Sequence, residues 1–374
     1  MLLKSLSRFL SARSFDVQLL TSSYRRFYQG VNFRLRTLAG GRFSGYCRPV
    51  SIAILLTERC NAHCIHCDIW KNKGREDSPD VDQWKNLLRE LRRWLGPVHV
   101  VITGGEALLK QYALDLVEYG SAEGLFIELL THGYWDDQSK FERLALVKPG
   151  RVTFSLDGIG ETHTLIRGRD NFFAKTERSI QTLRRMRTDH KLGFEIRLKT
   201  VVMEQNLQEL CLIAQYAQAN QCEVFYQPIE QNYNTAEDPN WFQSSQTWPR
   251  DTASVVAKIE ELIELKRKGL PIANGVNQLS AMIDYFRDPA RLRIATQAHQ
   301  AHEQKTLCSA LTMLQIQANG DITLCSSMGP VGNIKDGSIR RFWECRPRWW
   351  EKGCCLETRS VGLLSSHQEE VRGS

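Results

Sequence analysis

Between Ser51 and Pro228 the chain repeats one pattern six times: a short β-rich run, then a longer stretch with helical spacing. The β-rich runs are Ile52 to Leu56, Val98 to Ile102, Leu125 to Leu130, Val152 to Leu156, Glu195 to Val202 and Glu223 to Gln227. Helical spacing fills the intervals, at about Val81 to Leu95, Ala107 to Ala122, Gln138 to Leu146, Phe173 to Arg187 and Leu207 to Ala219. Serial β-α steps require right-handed crossovers and give a parallel sheet, curved where it forms part of a barrel. Sites in such α/β folds assemble on loops at the carboxyl ends of the strands.

The rest of the chain divides around that core. Residues 1–48 form a prefix, 49–231 the core, 232–306 a connector with a charged helix near Ala253 to Lys268, and 307–374 a C-terminal module. In that module Leu311 to Gln317 and Asp321 to Cys325 read as strands joined through Asn319-Gly320, a favoured type I′ turn. The prefix carries nine Lys or Arg between Lys4 and Arg48 against the single acid Asp16, with Leu2, Leu3, Leu6, Phe9 and Leu10 at helical spacing. Such a basic amphipathic helix packs on the core, rests on an anionic membrane, or serves as a transit peptide. An apolar run of about 18 residues, needed to cross a membrane, and a secretory signal are both missing. A soluble, cytoplasmic protein is expected, with peripheral membrane contact open through the prefix.

Cys60-Asn-Ala-His-Cys64-Ile-His-Cys67 directly follows the first strand run, so three thiols share one loop at a strand's carboxyl end. A cubane held by three protein cysteines leaves one iron open to another molecule. Structural zinc usually takes four ligands and would have to recruit His63 or His66, and that alternative stays open here. Cys211 and Cys222 flank a helical run and read as small buried residues.

The C-x3-C-x2-C loop resembles the signature of the radical S-adenosylmethionine (SAM) superfamily. Further motifs follow in order after successive strands: Thr103-Gly104-Gly105-Glu106, Thr131-His132-Gly133, Ser155-Leu-Asp157-Gly158 and His163-Thr-Leu-Ile-Arg167-Gly168. The resemblance implies a partial (β/α)6 radical SAM barrel in which Cys60, Cys64 and Cys67 hold a 4Fe-4S cluster that chelates SAM and cleaves it reductively. It places His66 near adenine, Gly104, Gly105 and Glu106 at the methionine ammonium group, and Ser155 and Asp157 at the ribose and carboxylate end. Thr131 belongs to the same cofactor-binding set. Arg197, flanked by Ile196 and Leu198, is expected in the barrel interior, against a SAM carboxylate or in an ion pair with Glu195 or Asp157.

Cys308, Cys325, Cys354 and Cys355, with Gly320-x4-Cys325, resemble the SPASM/Twitch extensions of the family, implying a small C-terminal α+β module and a second, auxiliary 4Fe-4S cluster. The adjacent final pair departs from that pattern, and Cys345 is the substitute ligand. The implied substrate is a peptide, sugar, lipid or cofactor precursor, and the implied electron donor a flavodoxin or ferredoxin. Two rivals stand beside this reading: a non-catalytic zinc or Fe-S protein, and an RNA-modifying radical SAM enzyme. The chain lacks the interleaved basic and aromatic residues of an RNA surface, so nucleic acid is not expected.

Overall fold

The computed structural model describes residues 2–38, 42–72, 77–232, 235, 238, 240–289, 312–324 and 329–346, and all of their side chains except those of 2–16 and 37. A nine-stranded sheet is built from β1 (Ser51–Leu55), β2 (His99–Thr103), β3 (Phe126–Thr131), β4 (Arg151–Ser155), β5 (Glu195–Val202), β6 (Glu223–Pro228), β7 (Met313–Ile316), β8 (Asp321–Thr323) and β9 (Gly332–Asn333). Its order is β6-β5-β4-β3-β2-β1-β7-β8-β9. The first six strands are parallel in chain order, as the alternating pattern predicts.

Helices flank the sheet, most of them on one face. They are α1 (Leu2–Thr37), α2 (Val81–Leu95), α3 (Ala113–Ala122), α4 (Ser139–Leu146), α5 (Glu161–Arg167), α6 (Phe172–Asp189), α7 (Leu210–Ala219), α8 (Trp241–Ser244), α9 (Thr252–Arg267), α10 (Val276–Arg287) and α11 (Ile339–Glu344). Helix α2 shows why the pattern was legible. Trp84, Leu87, Leu88, Leu91 and Leu95 recur on one buried stripe, Asp80 and Gln83 close a capping box, and Gly96 ends the helix at φ 80°.

The C-terminal hairpin is continuous with the barrel sheet, because β7 pairs in parallel with β1, Ser51 opposite Met313 and Ile54 opposite Ile316. Its turn differs from the expected type I′. Gly320 has a positive φ of 94° but Asn319 is not among the positive-φ residues, whereas type I′ needs both. The turn runs instead over Gln317 to Gly320, closed by the Gly320 N–H donating to the Gln317 carbonyl at 2.9 Å. Helix α11 docks this end onto α2: the Glu90 carboxylate accepts from the N–H of Ile339 at 3.2 Å. Trp343 also donates to the Cys47 carbonyl at 3.0 Å.

The opposite face of the sheet is polar where parallel barrels are usually apolar. Glu128 on β3 accepts from Thr153 at 2.6 Å, contacts His99 Nε2 at 2.7 Å and pairs with Arg151 at 3.1 Å. Arg151 also pairs with Glu195, and it reaches Glu223 two strands away at 3.6 Å, a span that fits a curved sheet. Burial would raise the Glu128 carboxyl, but His99, Arg151 and Thr153 hold it well below the usual range. These groups lie toward the amino ends of the strands. Helix α1 approaches the same end, where Gln18 donates to Glu195, and Asn32 fastens it by bonding both the carbonyl and the N–H of Arg48, at 2.8 and 2.9 Å. No helix among the described residues is long and apolar enough to cross a membrane.

Candidate functional site

The loop after β1 carries Cys60, Cys64 and Cys67 to the carboxyl end of the sheet. Cys64 is buried and Cys60 and Cys67 are partly buried, packed with Ala62, Phe172 and Tyr134. Tyr134 stacks on Phe172 with ring centroids 4.5 Å apart, forming an apolar wall beside the thiols. Burial pushes the Cys60 thiol up to about 12 and raises Cys64 and Cys67 as well, because a thiolate is costly in apolar surroundings. A bound cation must therefore displace protons from all three.

Two glycines fix this loop. The Gly105 N–H donates to the Thr57 carbonyl at 2.7 Å, and the Glu106 N–H donates to the Arg59 carbonyl at 2.9 Å. A Cβ on Gly104, whose φ is 144°, would lie 2.3 Å from the Thr57 carbonyl oxygen, and one on Gly105 would lie 2.3 Å from that of Arg59. The close approach that glycine permits is thus to the backbone leading into the cysteine loop. A second strap comes from α5, where the N–H groups of His63 and Ile65 donate to the carbonyls of Arg167 and Ile166, each at 3.0 Å. Gly168 ends that helix at φ 68° and abuts the His63 carbonyl.

Glu106 is buried beneath this junction. Its carboxylate accepts from Thr131 Oγ1 at 2.9 Å, from the His132 N–H at 3.0 Å and from the Leu108 N–H at 3.1 Å. His132 Nδ1 accepts from the Tyr134 N–H, which leaves the proton on Nε2, pointing to Asn61 Oδ1 at 2.8 Å and to Glu106 at 3.2 Å. Burial lowers the His132 imidazole below its usual value, favouring this neutral form. Asn61, inside the cysteine loop, is a residue that sequence reasoning missed; its spacing gave no signal.

The structure corrects two expectations. Asp157 is fully buried, accepting from the Val201 N–H at 2.8 Å and pairing with Arg167 at 2.5 Å, while its own N–H donates to His163 Nδ1. The chain leaves β4 at Ser155, so Asp157 turns inward instead of lining an open ribose site. Arg197 does lie on the strand face opposite Ile196 and Leu198, but its partner is Glu223 across the neighbouring strand, not Glu195, Asp157 or a free carboxylate. Two residues nearer the carboxyl end, Lys199 stands in register with Ser155 and was overlooked. Strand alternation would have found it. Burial lowers its amine below the usual lysine value.

The donor set suits an iron-sulfur cubane. Three cysteines sit on one loop beside an apolar wall, and His66 keeps Nδ1 buried without a hydrogen-bond partner. Burial holds that imidazole neutral, at about 4. Among the described residues no three His, Cys, Asp or Glu side chains, those of Cys60, Cys64 and Cys67 included, are placed to hold a single metal ion. Cys308, Cys325, Cys354 and Cys355 lie outside the described residues; Cys345 is exposed at the end of α11.

Comparison with known proteins agrees with this geometry. A family model described as the radical SAM superfamily matches residues 54–210. The AdoMet-dependent heme synthase of Methanosarcina barkeri is 29% identical over 167 residues, covering 43% of this chain and 45% of its own length. The chain therefore spans less than half of that relative. The pre-heme d1 synthase of Dinoroseobacter shibae is 26% identical over 310 residues, covering 77% of this chain and 71% of its own. In fold the chain is similar to SuiB of Streptococcus suis bound to S-adenosylmethionine, with a TM-score of 0.61 and 17% identity over 82% of this chain and 71% of that one.

Proposed function

We propose that this chain is a radical SAM enzyme in which Cys60, Cys64 and Cys67 hold the 4Fe-4S cluster at which SAM is cleaved to start hydrogen abstraction from an organic substrate. The observation that carries this reading is the three-thiol loop clamped from both sides by the Gly104-Gly105 and α5 backbones. When bound and reduced, the cluster supplies the electron that splits SAM into methionine and a 5′-deoxyadenosyl radical. The chain's own residues orient and shield. Phe172 and Tyr134 keep water from the thiols. Glu106, whose buried carboxylate is held by Thr131 and His132, is the residue assigned to the methionine ammonium group, and Ser155 lies at the carboxyl end of β4 beside Lys199. Lys199, not Arg197, is the cation of that layer suited to a carboxylate.

A relative matched over most of the chain is a pre-heme d1 synthase, which makes a tetrapyrrole precursor the first substrate class to assay, ahead of peptides. A flavodoxin or ferredoxin supplies electrons in this reading. Peripheral membrane contact is assigned to the outer side of α1, where Leu20 and Phe27 are exposed beside Arg26.

A second, Twitch-like cluster on Cys308, Cys325 and the Cys354-Cys355 pair completes the proposal. Anaerobically reconstituted protein is expected to bind about eight irons, four per cubane. Cys308→Ala or Cys325→Ala should each leave about four irons, while Cys345→Ala should leave about eight. Iron analysis with EPR of the reduced variants checks this. A second cluster lost with Cys345→Ala but kept with Cys308→Ala would overturn the assignment.

A further inference from the structure

The segment His163 to Gly168 has one side chain that backbone strapping does not explain. Arg167 is 7% exposed, at the end of α5, with its guanidinium aimed under the cysteine loop. One terminal nitrogen pairs with Asp157 Oδ2 at 2.5 Å and the other donates to Cys64 Sγ at 3.5 Å. A buried guanidinium is costly unless anions meet it, and here the two anion-forming groups lie on either side of it. Asp157 is in turn fixed by the Val201 N–H, so the Arg167 fork has little freedom to turn away from the sulfur.

We infer that Arg167 is a positioning residue that tunes the cluster, its charge and N–H stabilising the Cys64 thiolate and raising the cluster's reduction potential, while Asp157 offsets part of that charge. This rests on the assignment of the cluster to Cys60, Cys64 and Cys67. The physical basis is general: hydrogen bonds to cluster sulfurs and nearby net charge set Fe-S potentials, and a fixed cation favours the more negative, reduced state. Both guanidinium contacts are in a dry site, where screening is weak.

The test uses the full chain, reconstituted anaerobically as wild type, Arg167→Met, Arg167→Lys and Asp157→Asn. The readout is an EPR-monitored reductive titration of the signal that changes when SAM is added, which separates it from any other cluster on the chain. Arg167→Met is expected to lower the reduced-to-oxidised ratio at fixed poise about tenfold, a shift of about 59 mV to lower potential for one electron. Arg167→Lys should restore part of the ratio. Asp157→Asn should move it the other way, because Arg167 is then no longer offset. A purely mechanical strut would not give opposite signs for the two partners.

An unchanged midpoint in Arg167→Met with its cluster intact overturns the inference, as does loss of the cluster from all three variants. If only Arg167→Met fails to hold iron, the Asp157→Asn midpoint decides: an upward shift supports the role and no shift removes it. A wild type without any SAM-responsive signal would instead sink the cluster assignment itself.

Discussion

Gly105→Ala is expected to empty the SAM-binding cluster proposed for the cysteine loop, a loss of about four irons per chain, although the substitution adds one methyl group. The added Cβ would sit 2.3 Å from the Arg59 carbonyl oxygen, 2.7 Å from its carbon and 3.0 Å from Cys60 Cβ. All three atoms belong to the stretch that aims Cys60. None is the far end of a flexible side chain, so relief requires moving that loop's backbone and breaking the hydrogen bonds of Gly105 and Glu106. Gly30→Ala is the control, since a Cβ there meets nothing within 4 Å and alanine suits a helix better than glycine. Iron analysis of the two reconstituted variants is sufficient. Full iron in Gly105→Ala would mean that the two loops are not held against each other as described.

Glu106→Ala should act twice, on stability and on SAM affinity. Removing the carboxylate strands the Thr131 hydroxyl and the N–H groups of His132 and Leu108 in a buried site. At about 1 to 3 kcal/mol for each of the three unmet groups, the destabilisation is roughly 3 to 9 kcal/mol, measured as a drop in the denaturation midpoint. Loss of a charge-assisted hydrogen bond to the ammonium group adds about 1.5 to 3 kcal/mol in binding, raising the SAM dissociation constant on the order of ten- to a hundredfold. Glu106→Gln keeps one acceptor oxygen and should recover much of the stability while remaining weak in affinity. Unchanged SAM affinity in both variants would confine Glu106 to scaffolding.

The barrel and the position of its motifs were legible because both depend on local pattern. Periodicity placed α2 at Val81 to Leu95, and the motif loops follow the strands that β-rich runs marked. What was hidden depends on contacts between distant segments. Helix α5 has seven residues, too few for periodicity, and is delimited by Gly160 and Gly168 at positive φ. Helix α10 was absorbed into the connector, although Leu279, Met282, Ile283 and Phe286 mark a buried stripe. The pairing of Ser51 with Met313 joins segments more than two hundred residues apart, and no local signal announces it.

The site shows the same division. Motif order pointed to Glu106 and the cysteines, but not to which way each side chain turns. Asp157 and Ser155 are two residues apart and would share a face if the strand continued; it stops, and Asp157 is drawn to Arg167 and the Val201 N–H. Arg197 was correctly set opposite Ile196 and Leu198, yet its partner Glu223 lies on a strand that pairs with β5 only in the folded sheet. Charged residues at alternate positions of β5 and at the starts of β4 and β6 were the available hint of a polar inner face.

The central claim is that the loop of Cys60, Cys64 and Cys67 is where SAM is cleaved, and the most direct test is release of 5′-deoxyadenosine. Reconstituted wild-type protein, given SAM and dithionite under anaerobic conditions, is expected to form it slowly without substrate, whereas the variant with all three cysteines changed to alanine should form none while retaining the irons of the proposed second cluster. Release from that triple variant at the wild-type rate, or wild-type protein that carries stoichiometric zinc and no iron, would contradict the account.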